Sequence, residues 1–408
     1  MKKLSPDYKR IHLVAFDVPY PADYGGVIDI FYKLKALHKV GVDVILHLYN
    51  YGRKQNRTEL EKYSLSVHYY TRRKFRNPFI GSKPYIVSSR NDELLLSNLS
   101  KDNAPIIFEG LHSTFHLTHP ALSNRFKIVR THNIEHTYYK HLEKSEIRYF
   151  KKYFFRIEAE KLRKYQNILK HADVVAAISP SDHQYFNEKF NNSIYIPAFH
   201  SNEKLSYVEK EGDYILYHGN LSVAENYKAA IELVQNVFSK LTIPVYIAGN
   251  NPPKELISCC DSYSNITLKT NLNTNQIHQL IQNAHINVLY TSQNTGIKLK
   301  LLNALYLGKF AIVNPLMIKG SGLENLCEVC STFDDMVLKI KSFMLLEFTV
   351  EYFKNREAFL IQNFNNQKAI IDLIESIRFP SEIVDYKYTQ KKNRTILRLS
   401  SFITQLIT

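Results

Sequence analysis

Tryptophan is absent from the 408 residues, and cysteine appears only four times. So few cysteines cannot build the dense disulfide framework of a small secreted fold, and they point to a reducing compartment. Cys327 and Cys330 form a lone CxxC with no second pair nearby, short of the four ligands of a structural zinc site. Cys259 and Cys260 read as ordinary thiols. No stretch approaches the ~18 consecutive apolar residues of a spanning helix. The N-terminal MKKLSPDYKRIHLVAF has an apolar run of about six residues, less than a secretory signal needs, so the expected location is cytoplasmic. There is no DxD triplet, HExxH or GxSxG, and the single GSGLEN lacks the strand-to-helix context of a dinucleotide fingerprint. Repeats, low-complexity tracts, zinc-finger spacing and RNA-binding aromatic signatures are missing too, which argues against a nucleic-acid partner.

What is present is a globular composition, 45% hydrophobic and 22% charged, with 53 Lys and Arg against 38 Asp and Glu, a net +15. At ~100–200 residues per domain the length suits two domains, and the charge asks for an anionic partner. Short β-branched runs alternate with amphipathic helical patterns, the signature of α/β units around parallel sheets. In the first half, residues 11–16, 42–48, 105–108, 127–130 and 173–178 read as strands. A helix is expected over 27–39, and one long helical pattern over 143–171. A polar stretch over 196–213 separates a second series, with strands at 214–218, 244–248, 266–269, 286–290 and 310–313. Helices are expected there over 224–238, 275–283 and 297–307. Helical patterns from 333 to 377 follow.

Chemistry-bearing residues collect just after predicted strands, where open α/β sheets bind ligands. In FDVPYPADYGGVIDI, Gly25 and Gly26 stand before a helix, letting a ligand approach the backbone where a helix N-terminus favours an anion. IIFEGLHS sets Glu109 and His112 behind one strand, and IVRTHNIEHTYY sets His132, Asn133 and Glu135 behind another. In TSQNTGIKLKLLNALYLGKF, Thr295 and Gly296 open a helix with Lys298 and Lys300 in its first turns. Lysines there oppose the helix dipole unless an anion neutralises them, which suits a diphosphate cradle.

The glycine pair, HNIE, YHGNLSVAENYKAAIEL, VYIAGNNP and TGIKLKLLNALYLGKFAIV occur in an order and spacing that resembles the family 4 retaining glycosyltransferases of GT-B fold. The resemblance is especially to a bacterial subgroup of cell-envelope polysaccharide enzymes. The resemblance runs from Arg10 to Leu373. It implies two Rossmann-like parallel-sheet domains facing a cleft: an acceptor-binding domain over 1–204 and a nucleotide-sugar-binding domain over 205–345. Helices over 346–379 would pack back on the first domain, and a basic tail would occupy 380–408. It further implies transfer of a hexosyl group from a GDP- or UDP-linked sugar to a glycan or lipid-linked acceptor, with retention and without a metal or other cofactor.

Carried onto this chain, Gly25, Gly26, Thr295, Gly296, Lys298 and Lys300 would hold the donor diphosphate, with Asn220 nearby. Gly249 and Asn250 would lie near the nucleoside and Asn303 near the ribose. His132, with Asn133 and Glu109, would serve the transferred sugar. The family's two glutamates, eight positions apart, are replaced here by Thr295 and Asn303, and its basic residue after the YHG glycine by Asn220. Two competing readings follow: a nucleotide-sugar epimerase or hydrolase on the same fold, and an inactive GT-B protein serving as a binding partner in envelope assembly. Arg72, Arg73, Lys74 and Arg76 among aromatics, and the basic, tyrosine-rich helix from Glu143, suit an anionic membrane surface, with the protein peripheral at its inner face.

Overall fold

The computed structural model describes residues 10–53, 56–73, 81–205, 207, 212–292 and 299–378. The first half builds seven strands: β1 (Arg10–Ala15), β2 (Asp43–Asn50), β3 (Ser66–Thr71), β4 (Ile106–Glu109), β5 (Lys127–Thr131), β6 (Val174–Ala177) and β7 (Ser193–Tyr195). They form one sheet in the order β3-β2-β1-β4-β5-β6-β7, and every recorded pairing is parallel. The second half repeats the plan with β8 (Ile215–His218), β9 (Val245–Ala248), β10 (Ile266–Lys269), β11 (Ile286–Leu289), β12 (Phe310–Val313) and β13 (Glu328–Val329). Their order is β10-β9-β8-β11-β12-β13, again all parallel.

Central strands such as β4, β6, β8 and β11 are buried at every residue. That follows from helices covering both faces, and it explains why they read as continuous apolar runs. β3, β7 and β13, for which the sequence reading has no strand, lie at or beside sheet edges. They are short or only partly buried, so their hydrophobic signal is weak. In each sheet the strand order reverses once, between β1 and β4 and between β8 and β11. A crevice opens beyond the carboxyl ends at such a point.

The expected single helix over 143–171 is instead two helices, Glu135–Ser145 and Tyr149–Tyr165, followed by a 3-10 turn. KSEIRYF contains no glycine or proline to announce the break. It is set locally by Glu146, whose Oε1 accepts from the Arg148 amide at 2.9 Å, and tertiarily by the two helices folding back, with Tyr139 edge-on to Phe155.

The chain crosses between the halves at residues 196–205 and returns near residue 365. The two crossings are tied together: His200 Nε2 donates to the Phe364 carbonyl at 2.8 Å, Asn366 Nδ2 to the His200 carbonyl at 2.7 Å, and the His200 amide to Asn366 Oδ1 at 3.2 Å. Helix Val350–Asn363 stays with the second half, where Arg356 donates to the carbonyls of Leu305, Gly308 and Lys309. Helix Asn366–Arg378 instead buries Ala369, Ile370, Leu373, Ile374 and Ile377 in the same core as Ile30, Leu34 and Leu37 of helix Gly25–Lys39. Among the described residues no helix is long and apolar enough to cross a membrane. Cys327 and Cys330 are free and sit in two different apolar clusters.

A polar chain threads the first sheet. Lys101 Nζ donates to Asn98 Oδ1 (2.7 Å), Asn98 Nδ2 to the Tyr70 hydroxyl (2.9 Å), Tyr70 to His47 Nδ1 (2.7 Å), His47 Nε2 to His12 Nδ1 (2.8 Å), and His12 Nε2 to Asp102 (2.9 Å). A lysine that can only donate and a carboxylate that can only accept fix this direction, so both histidines are neutral Nε2–H tautomers. Burial holds His47 well below its ordinary value of 6.5, with the neighbouring His12 adding to it, and burial lowers His12 as well despite Asp102. Unfolded His47 takes up a proton below about 6.5 and folded His47 does not, so stability falls as pH drops through that region. Between about pH 7 and 5 the wild type should therefore lose stability relative to His47→Gln, with a slope approaching about 1.4 kcal/mol per pH unit. Urea unfolding across that range measures it.

Candidate active site

The crevice of the first sheet is framed by the ends of β1, β4 and β5. Phe16 follows β1 and lies over Gly26: a Cβ at that position would come within 2.7 Å of Phe16 Cζ. The same ring meets His132 edge-on at 5.4 Å and His112 at 4.9 Å. Gly25 opens helix Gly25–Lys39 and faces the second domain, where a Cβ on it would reach Leu299 Cδ1 at 3.9 Å. The glycine turn thus meets helix Leu299–Leu307 across the cleft.

Beneath this surface lies a fully buried ionic cluster. Lys33 Nζ sits 2.9 Å from Asp29 Oδ2, one helical turn away, and 2.6 Å from Glu109 Oε1 at the end of β4. Arg130 in β5 grips Asp29 with two nitrogens, at 2.9 and 3.2 Å, and donates to the carbonyls of Ile196 and Pro197. The Phe199 amide also donates to Asp29. Glu109 Oε2 accepts from His132 Nε2 at 2.9 Å. Burial alone would raise both carboxyls. Arg130 and Lys33 hold Asp29 well below the carboxylate range, while Lys33 and the His132 hydrogen bond bring Glu109 below it. Asp29, Glu109 and His132 bring three potential metal ligands within 4.8 Å of one another. Lys33 and Arg130 already neutralise the two carboxylates, however, and Lys33 Nζ fills the space between them, so the donor set does not fit a cation.

The sequence reading has Glu109 and His132 but lacks Asp29, Lys33 and Arg130. Their signal was an arginine inside the apolar strand KIVRT and an i, i+4 acid–base pair on a helix whose other inward positions are apolar. Lys33→Met leaves two buried carboxylates to one arginine and should cost about 3–5 kcal/mol in urea unfolding.

Behind His132, Glu135 is only 3% exposed at the start of its helix. Burial, reinforced by Asp182, pushes its carboxyl up to about 8. His112 Nδ1 stands 4.0 Å from Glu135 Oε1 without a hydrogen-bond partner among the described residues. Asn133 is half-buried beside them and hydrogen-bonds Glu135. Arg90, unremarked in the sequence, completes this wall, donating to the carbonyls of Phe16 (3.0 Å) and Ile86 (2.5 Å). Folded Glu135 retains a proton that the unfolded chain loses above about 4.5, so it penalises the native state increasingly as pH rises towards 8. Glu135→Gln should gain stability relative to wild type by about 1.4 kcal/mol per pH unit between those values, measured by denaturation at stepped pH.

In the second domain, His218 closes β8 and Gly219 and Asn220 follow it. The loops after β8 and β9 touch backbone to backbone, since a Cβ at Gly249 would fall 2.0 Å from the Gly219 carbonyl oxygen. Asn250 pairs with the Leu272 backbone through both ends of its amide, and Asn220 makes a local turn, accepting from the amide and hydroxyl of Ser222. Lys300 Nζ lies 3.1 Å from Asn226 Oδ1, over the Tyr217 ring. Burial first, and Lys300 next, push His218 down to about 3, leaving it neutral; its Nε2 has no partner among the described residues. Asn303 accepts from Asn202 Nδ2 of the linker at 2.8 Å. The expected site residues Thr295, Gly296 and Lys298 lie outside the described residues.

Two parallel sheets with facing crevices match solved structures over nearly their whole length. A sucrose-phosphate synthase from Thermosynechococcus elongatus superposes with a TM-score of 0.68 at 14% identity, covering 90% of this chain and 98% of that one. TarM gives 0.65 at 11% identity, with 92% and 100% covered. Anabaena HepE in complex with UDP and glucose gives 0.62 at 12%, with 90% and 99% covered. The protein has the GT-B fold. In GT-B terms the glycine turn and His132, with the buried Glu109 cluster beneath them, form the first domain's side of the cleft, while His218, Lys300 and the β8 and β9 loops form the second's. No family model matches the chain. An uncharacterized 44.6 kDa protein in the cps region of Klebsiella pneumoniae is 26% identical over 389 residues, covering 90% of this chain and 99% of that protein.

Proposed function

We propose that this GT-B protein is a hexosyltransferase that moves a sugar from a nucleotide donor to a glycan or lipid-linked acceptor with retention, in cell-envelope polysaccharide synthesis. The observation that carries the reading is the meeting of Gly25 with the Leu299 end of the facing helix, beside a His132 held by Glu109. HepE, of the same fold, binds UDP and glucose, and the Klebsiella relative lies in a cps region.

In this reading the backbone at Gly25 and Gly26, with Thr295, Gly296, Lys298 and Lys300, receives the donor diphosphate. Asn220 stands near it, Gly249 and Asn250 border the nucleoside, and Asn303 borders the ribose. Fixed amides and ammonium groups in a site shielded from water stabilise the charge developing on the leaving diphosphate without having to reorganise. That requires no metal ion. Glu109, both of whose oxygens are engaged, is a positioning residue. Its hydrogen bond to Nε2 leaves Nδ1 of His132 for the sugar, with Asn133 beside it. The acceptor proton passes to the departing phosphate oxygen as the new glycosidic bond forms on the face the nucleotide leaves. The inactive-partner alternative draws on Asn303, which lacks the charge of a glutamate and is engaged by the linker.

A thermal-shift panel of GDP-, UDP- and dTDP-sugars on the full chain should reveal one stabilising donor. Changing Lys298 and Lys300 together to Ala should abolish its binding in calorimetry, and His132→Ala should lower kcat at least about hundredfold while binding persists. Unchanged donor affinity in the lysine variant sinks the site assignment. Donor consumed without an acceptor indicates an epimerase or hydrolase, and a wild type that binds or turns over no donor indicates an inactive partner.

A further inference from the structure

The junction between helices Glu135–Ser145 and Tyr149–Tyr165 exposes what a folded chain normally hides. Ile147 is 84% exposed, Phe150 85%, Tyr149 78% and Tyr153 51%. The rest of the second helix is anchored: Glu158, Ala159 and Leu162 are buried, and Glu158 accepts from the amides of Tyr85 and Ile86 at 2.9 Å. Phe154 and Phe155 pack on Tyr85 and Tyr139. A rigid base therefore presents an apolar tip to water.

The tip is also cationic. From Lys144 to Arg156 there are five Lys and Arg against the single Glu146. Arg148, Lys151, Lys152 and Arg156 are all exposed, and none of them enters an ion pair among the described residues. At about 100° per residue, Tyr149, Phe150 and Tyr153 share roughly 100° of the helix surface, with Lys152 and Arg156 along one flank and Lys151 along the other. Aromatic rings flanked by basic side chains are the arrangement of a helix lying in a lipid interface, where rings enter the headgroup boundary and cations meet anionic phosphates.

We infer that this tip, residues 146–153 with Arg156, docks on an anionic lipid bilayer. A second copy of the chain fits it poorly, because a symmetric contact would set the same four cations against one another. Single-stranded nucleic acid also takes bases on aromatic rings, but Ile147, one of the two most exposed apolar residues of the tip, has no ring face on which to stack a base.

The position of the tip gives the contact a use. Helix Glu135–Ser145 starts three residues after His132 and runs 11 residues, about 16 Å. Its last residue, Ser145, lines a small cavity together with Glu225 and Tyr290 of the second domain. The tip thus stands at the mouth of the cleft. If the contact delivers a lipid-linked acceptor, that use rests on the transferase reading; the contact itself does not.

The test is co-sedimentation of the full chain with vesicles of phosphatidylcholine alone or mixed with phosphatidylglycerol. Wild type should bind the anionic vesicles at least about tenfold more tightly, and less so in high salt. Ile147→Ser with Phe150→Ser, and separately Lys151→Glu with Lys152→Glu, should each lose about tenfold or more. All four side chains are exposed, so unfolding temperature and nucleotide-sugar binding should stay unchanged. Binding that ignores phosphatidylglycerol, or survives both double variants, overturns the proposal. So does a preference for a single-stranded oligonucleotide over vesicles, or a dimer in sedimentation equilibrium that Ile147→Ser with Phe150→Ser dissolves. Loss of vesicle binding with donor binding intact separates this question from the transferase reading.

Discussion

Two carboxylates, a lysine and an arginine, none with side-chain surface accessible to water, meet between helix Gly25–Lys39, β4 and β5, and the rest of the cleft is arranged around them. Desolvating four charges is expensive, and a buried ion network often contributes little net stability compared with apolar packing. What it does contribute is geometry. Asp29 accepts from Arg130, Lys33 and the Phe199 amide, and Glu109 from Lys33 and His132, so each partner has one low-energy position. The helix carrying the glycine turn, the strand ending in Glu109 and the imidazole of His132 are thereby fixed relative to one another.

The same cluster reaches the inter-domain crossing. Arg130 holds the carbonyls of Ile196 and Pro197, Asp29 holds Phe199, and the next residue, His200, is bound to Phe364 and Asn366 where the chain returns. Asn202 continues the path to Asn303 on helix Leu299–Leu307. Hydrogen bonds and the peptide link from Phe199 to His200, whose Nδ1 accepts from the Asn202 amide, therefore join the base of the glycine helix to the helix it faces across the cleft. The distance between Gly25 and Leu299 is set by these bonds together with the packing of helix Asn366–Arg378 on the first domain.

Much of this was legible in the order of residues. The central strands and helix Gly25–Lys39 were visible because burial on both faces demands continuous apolar runs and burial on one face demands a 3.6 period. The crevices were visible because polar groups such as Glu109 and His132 follow such runs directly. Three of the four edge strands, β3, β7 and β13, escaped because a strand with one partner needs little apolar surface, whereas edge strand β10 was legible. The turn at Glu146 escaped because a carboxylate bonded to a nearby amide can end a helix without glycine or proline. Arg130 was in plain view within an apolar strand, yet an isolated buried arginine has no meaning until Asp29, a hundred residues earlier, is brought to it.

The net charge of +15 shows the same division. Local chemistry alone determined that this chain folds as two parallel α/β sheets and that its polar residues gather at their carboxyl ends, since strand and helix periods are properties of neighbouring residues. Tertiary structure decided which charges matter. Lys33 and Arg130 are spent inside on carboxylates, whereas Arg148, Lys151, Lys152 and Arg156 stay in water beside exposed rings. Whether a cation is neutralised depends on what folding brings within a few ångströms of it, and those partners lie far away along the chain.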